Sequence, residues 1–245
     1  MQENSGKGAG MPRGLFAGKN KEDCFMFRFL SIFAAAFVLC CGMAFADRSP
    51  VVNAAYTLEN SNQFNNGTLF IIRMDNVVVF ELNKMKGSES EECVEDSFCG
   101  SGLVERTPSG IRMAKCFVDE TREMTIKWHS DHKKISVFHK GSFKVNPDGV
   151  YLREDYDICW TEGLAKAFLE ALPSAATSLN KINRPYRVEL GTEKVRNGKF
   201  YPVKVIHEAD GETIAEFLLS VDMKRIKAYR LVDSKPVLIY GDSKK

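Results

Sequence analysis

Alternation with a period of two is the feature that most narrows what this chain can fold into. Met124, Ile126 and Trp128 are apolar and are separated by Thr125 and Lys127; Ile135 and Val137 flank Ser136 in the same way. A strand sends successive side chains to opposite faces, so each such stretch has one buried face and one wet face. Thr68–Met74 and Val77–Leu82 are rich in β-branched and aromatic residues and are joined by Asp75-Asn76, which predicts a hairpin. Gly102–Arg106 and 111–118 flank Thr107-Pro108-Ser109-Gly110, with Pro and Gly where a type I turn wants them. Met124–His129 and Lys134–His139 flank a short polar turn. Val51–Ala55 reads as a strand or a helical turn, and Asn146-Pro147-Asp148-Gly149 as a closing turn. Lys84–Asp96 carries Glu89, Glu91, Glu92, Glu95 and Asp96 and reads as a solvated loop. Short strands at this spacing predict an antiparallel β meander, curled into a barrel or half-barrel.

The period changes after Asp157. Leu164, Phe168 and Leu172 recur at helical spacing with Ala165 and Leu169 beside them, Thr161 is placed to cap the helix, and Pro173 ends it. Residues 174–179 extend it by a further turn. Period two then returns in Tyr186–Leu190, Tyr201–Val205, Phe217–Val221, Tyr229–Leu231 and Pro236–Tyr240, with Asn197-Gly198 and Asp210-Gly211 as tight turns. The fold class is therefore α+β: the meander, then one helix packed on a four- to five-stranded antiparallel sheet. In outline only, the second half resembles a cystatin-like or PepSY-like helix-on-sheet layer. The domains read as 1–46 leader and signal peptide, 47–155 β-rich module, and 156–245 helix-on-sheet module with a core of its own. Trp160, Phe168, Tyr186, Tyr201, Phe217 and Tyr229 are the expected aromatic part of that core.

The leader sets the compartment. Phe29 to Cys41 holds no charged residue, a basic residue precedes it, and Ala44 and Ala46 stand at −3 and −1 of a cleavage point after Ala46. This is the pattern of a secretory signal peptide. The apolar core is shorter than the roughly 20 residues of a spanning helix, so no stable membrane anchor is expected after cleavage. The residues before Cys40 and Cys41 do not suit lipidation. The expected location is periplasmic or secreted.

Charge removes some partners. The leader holds five of the 34 basic and three of the 32 acidic residues, which leaves 29 of each in the mature chain. A neutral chain argues against nucleic acid as the main partner, because phosphate backbones are met with clustered Lys and Arg. Four cysteines remain after cleavage: Cys93, Cys99, Cys116 and Cys159. In an oxidising compartment they are disulfide candidates. Pairing Arg106 with Ile111 across the hairpin puts Ser101 opposite Cys116, so Cys116 is expected to be bridged, with Cys99 favoured over Cys93.

Chemistry-bearing motifs are few. His129, Asp131 and His132 form an HSDH run, with His139 on the next strand, and such a set is a candidate metal site. Ser101 lies between Gly100 and Gly102 but lacks the strand-turn-helix setting of a nucleophile elbow. Asp119, Glu120 and Glu123 sit in a turn, away from the cleft that paired carboxylates need. No phosphate loop or dinucleotide fingerprint occurs, and no cofactor is expected. The expectation is an exported bacterial envelope protein, a non-catalytic binding or inhibitor-like module for an envelope protein, peptide or glycan. Its rival is a small secreted metal-dependent hydrolase using the His129/Asp131/His132 region.

Overall fold

The computed structural model describes residues 53–108, 112–155, 157–179 and 182–241. The leader with its cleavage residues Ala44 and Ala46, and the turn centred on residues 109–111, lie outside the described residues. Val51–Lys245 forms one compact unit.

Eight antiparallel strands close into a barrel: β1 (Ala54–Leu58), β2 (Asn65–Met74), β3 (Val77–Ser88), β4 (Glu91–Arg106), β5 (Arg112–Phe117), β6 (Glu123–Trp128), β7 (Lys134–Lys140) and β8 (Gly149–Arg153). Each strand pairs with its neighbours in sequence, and β8 returns to β1, with Thr57 opposite Leu152. Closure removes both sheet edges. The alternation read from β6 and β7 decides what fills the interior: Met124, Ile126, Trp128, Ile135 and Val137 are buried there with Leu69, Ile71, Val78, Phe80, Leu82 and Tyr151. Eight strands enclose about as much room as side chains can fill, and here they fill it.

The stretch expected as a charged loop, Lys84–Asp96, is instead the end of β3 and the start of β4. The two arms pair as far as Ser88 opposite Glu91. Acidic side chains mark exposure, and an exposed hairpin arm meets that requirement as well as a loop does. The β4–β5 register also differs by one residue from the expected one. Arg106 faces Arg112, and Gly102 faces Cys116.

The helix α1 (Glu162–Ala171) lies against the outer wall of the barrel. Thr161 caps it as read, accepting a hydrogen bond from the Leu164 amide at 3.0 Å. Leu164, Phe168 and Leu172 form its buried stripe, and a short helical turn, α2 (Ser174–Thr177), follows Pro173. A second sheet covers the other side of α1. It contains β9 (Tyr186–Leu190), β10 (Phe200–His207), β11 (Thr213–Ser220), β12 (Ala228–Val232) and β13 (Lys235–Tyr240), in the order β13-β12-β11-β10-β9. The core around α1 is shared. Ala55, Ile72, Met74 and Val79 from the barrel wall join Phe168, Val188, Val203, Val205, Phe217 and Leu219 in one cluster.

Glu81 fastens the helix to the barrel. Its buried carboxylate accepts a hydrogen bond from the Thr161 hydroxyl at the start of α1. Gly163 leaves room for it, since a Cβ there would stand 3.0 Å from the Glu81 carboxyl carbon. The aromatic core is largely as expected, with Trp160 and Phe168 edge-to-face at 5.1 Å. Tyr229 is the exception: β12 pairs with β11 so that Ala228 and Arg230 lie opposite the helix-side Leu219 and Phe217, which leaves Tyr229 on the other face, edge-on against Phe200 at 5.4 Å.

Candidate functional site

The inward-facing series of β3 runs Val78, Phe80, Leu82 and then Lys84. The first three are apolar and fully buried; the fourth is a lysine with 5% of its surface exposed. Lys84 stands where the barrel interior ends. Opposite it on β2 is Gly67, where a Cβ would come within 2.9 Å of the Lys84 Cδ and 3.3 Å of the Tyr151 ring. Glycine is what lets the lysine stem and the tyrosine share that layer. The Lys84 ammonium lies over the Tyr151 ring, 5.7 Å from its centroid. It has no hydrogen bond or ion pair with any described residue.

A segment between β7 and β8 closes most of this end of the barrel. Phe143 packs on Phe98 with ring centroids 4.9 Å apart, and Val145 is buried. Asp96 holds the segment by accepting from the Lys144 and Val145 amides. The Tyr151 hydroxyl donates to the Pro147 carbonyl at 2.8 Å. Beside this cover an open cavity of about 370 Å³ remains, lined by Leu58, Glu59, Asn60, Asn65, Lys84, Lys86, Asn146, Asp148, Gly149 and Val150. Two of its carboxylates are partly engaged: Glu59 with Lys134 at 2.9 Å, and Asp148 with His139 at 2.8 Å.

The electrostatics of the mouth follow from burial. Loss of water pulls the Lys84 pKa below its usual value, nearby Lys86 pulls it further, and Asp148 opposes both. Burial also pushes the Tyr151 phenol well up, with Asp148 adding to the shift, so the ring under the ammonium stays neutral.

The HSDH residues do not converge. His129 pairs with Ser136 at 2.9 Å, and Asp131 caps its own turn through the Lys133 amide. His132 occupies the left-handed region (φ 54°), with its Nδ1 buried and unpartnered. His129 lies beside Lys134 and His139 faces Met124, five residues further along β7. At about 3.3 Å per residue they stand roughly 17 Å apart. Among the described residues, no group of three or more His, Cys, Asp or Glu is placed to hold a metal ion.

The cysteines require a correction. No disulfide joins them: Cys93, Cys99, Cys116 and Cys159 are all free thiols. Cys116 points into the barrel interior, whereas Cys99 packs outside the wall, in the core around α1. A disulfide needs Cβ atoms roughly 3.5–4.5 Å apart, and side chains on opposite faces of one sheet do not meet that. Cys93 and Cys159 are exposed. Burial pushes the Cys99 thiol up to about 11 and the Cys116 thiol up to about 12. Gly100 and Gly102, which made Ser101 conspicuous, serve the wall itself. A Cβ at either would collide with the β5 backbone, at Phe117 and Lys115 respectively. Asp119 is tied up by the Thr121 and Arg122 amides and by the Arg122 side chain, which hold its carboxyl well below the usual range.

The fold and its mouth thus define an α+β protein with a packed, closed barrel and a charged cavity at one end of that barrel. No protein-family model, curated protein or solved structure matches the chain.

The reading from sequence missed the mouth because Lys84 fell in the expected loop. A signal was present: continuing the inward parity of Val78, Phe80 and Leu82 by one step lands on Lys84.

Proposed function

We propose that this is an exported binding protein of the bacterial envelope, periplasmic or secreted, that holds a peptide or glycan at the mouth of its barrel. The observation that supports this reading is Lys84, a buried cation where the series of inward side chains calls for another hydrophobe. Burying a charge without a partner costs folding free energy, so selection for stability alone does not favour a lysine there. Barrel mouths are common ligand sites, and pockets of roughly 300–1,000 Å³ are typical; the mouth cavity, at about 370 Å³, is of that size. The amides of Asn60, Asn65 and Asn146 supply both donors and acceptors around it.

The test is NMR of the side-chain amides of those three asparagines in the mature protein. One titrant is a random tripeptide library and the other a mixture of short chito-oligosaccharides. Shifts concentrated at the mouth are expected with at least one of them. A protein whose mouth amides respond to neither is not using this cavity for such ligands.

A further inference from the structure

The proposal above leaves open which chemical group the mouth recognises. We infer that Lys84 receives the carboxylate of a zwitterionic ligand, the free C-terminal end of a short peptide, whose amine is met by the acidic side of the same cavity. This deepens the reading of the mouth as a binding site and rests on it.

The first argument is the unmet need of Lys84. Its ammonium carries three donors and opens onto the cavity from a side chain that is otherwise buried; the Tyr151 ring lies beneath it, and among the described residues it has no hydrogen bond or ion pair. Tyr151 is held in place by its own bond to the Pro147 carbonyl, and Gly67 keeps the space around the lysine stem free. The cation is therefore positioned before any ligand arrives. A carboxylate supplies the charge-assisted hydrogen bonds that the protein itself withholds. Ligand binding then relieves a cost already incurred in folding, which makes that contact decisive for affinity.

The second argument is the balance of charge. The cavity wall carries Lys84 and Lys86 but also Glu59 and Asp148. Glu59 and Asp148 are each engaged through a single oxygen, Oε1 by Lys134 and Oδ1 by His139, and each keeps a second oxygen as acceptor. A polyanion entering this cavity finds two carboxylates beside the two lysines, so only part of its charge is matched. A neutral glycan leaves Lys84 as unpaired as before. A molecule with one carboxylate and one amine satisfies both sides. Peptides of two or three residues carry that pair of charges at a separation a cavity of this size accommodates.

The experiment uses the mature protein and four probes: the random tripeptide library with free ends, the same library C-terminally amidated, the same library N-terminally acetylated, and neutral chito-oligosaccharides. Affinity is read from the Asn60, Asn65 and Asn146 amide shifts. Free tripeptides are expected to bind. Amidation is expected to weaken them about tenfold or more, and acetylation to weaken them by a smaller factor. Lys84→Met is expected to cause the same loss as amidation, and amidation is expected to have no further effect in that variant, because both changes remove one interaction. Thermal unfolding of Lys84→Met confirms that it is folded.

Amidated peptides that bind as tightly as free ones overturn the carboxylate assignment. So does a Lys84→Met variant with unchanged affinity. Acetylated peptides that bind as tightly as free ones overturn the zwitterion. Chito-oligosaccharides that shift the mouth amides while peptides do not overturn the inference but leave the mouth as the binding site. No response at the mouth to any probe removes both.

Discussion

Lys84 is a lysine that the fold holds at a cost. Its pKa is lowered from 10.5 because burial removes part of the water around the ammonium, and the unfolded chain binds that proton more readily than the folded one. The penalty is therefore fully present below the folded pKa and fades as pH rises towards and past 10.5. Lys84→Met should stabilise the protein near neutral pH by about 1 kcal/mol, the low end for a buried polar group without a partner, because the ammonium opens onto the cavity. Thermal melts of both proteins between pH 7 and 11 check this: the gap should shrink as pH rises. A variant less stable than the parent at pH 7 would mean that the lysine stem contributes more packing than its charge costs.

The thiols give a second prediction at this scale. Cys116 is fully buried, and its pKa is pushed up to about 12 by burial, with Glu123 adding to the shift. It should resist alkylation in the native protein at pH 8, whereas the exposed Cys93 and Cys159 react readily. Mass mapping after brief alkylation checks the order. A native protein in which Cys116 labels as fast as Cys93 would contradict its place inside the barrel.

Among the elements, α1 was the most legible from sequence and the barrel's closure the least. Thr161, the stripe of Leu164, Phe168 and Leu172, and Pro173 are all local signals, and each acts as read. The strands β6 and β7 were legible for the same reason, since alternation needs only neighbours in sequence. The pairing of β1 with β8 depends on residues nearly a hundred positions apart, and no local pattern records it. The arms of β3 and β4 were hidden by their charges, and the mouth was hidden with them. The cysteine reading failed on parity: one residue of register decides whether a side chain faces the interior or the wall's other side. For α1 itself, Thr161→Ala removes both the cap and the bond to Glu81. The cap alone is worth about 1 kcal/mol, and Glu81 is then left buried without its hydroxyl partner, so the loss should reach about 2 kcal/mol or more. Chemical denaturation of Thr161→Ala, compared with Thr161→Ser, checks it. Serine keeps the oxygen and should restore most of the stability. Equal losses in the two variants would remove the hydroxyl from the account.

At the scale of the whole molecule, the decisive fact is that one core serves two layers. Phe168 is fully buried, with Trp160 at 5.1 Å and Tyr240 at 5.4 Å, and the cluster it belongs to runs from Ala55, Ile72, Met74 and Val79 on the barrel to Phe217 and Leu219 on the sheet. Phe168→Ala in the intact protein should therefore cost about 3–5 kcal/mol, as expected for a large ring lost from a packed interior. The same sharing bears on how the chain can be divided. A fragment covering residues 157–245 keeps α1 and the second sheet but loses the barrel wall on one side of the helix. It also loses Glu81, which engages Thr161 at the start of α1. A domain of that size has little stability to spare. The helix would present to water the face that Ile72, Met74 and Val79 now cover. The fragment should accordingly show no cooperative thermal transition on its own, and should gain one when the complementary fragment, residues 47–156, is added in trans. Calorimetry of each fragment and of the mixture decides the matter. A sharp transition in the isolated C-terminal fragment, unchanged by its partner, would show that the sheet and helix are sufficient and that the barrel contributes only a neighbouring surface.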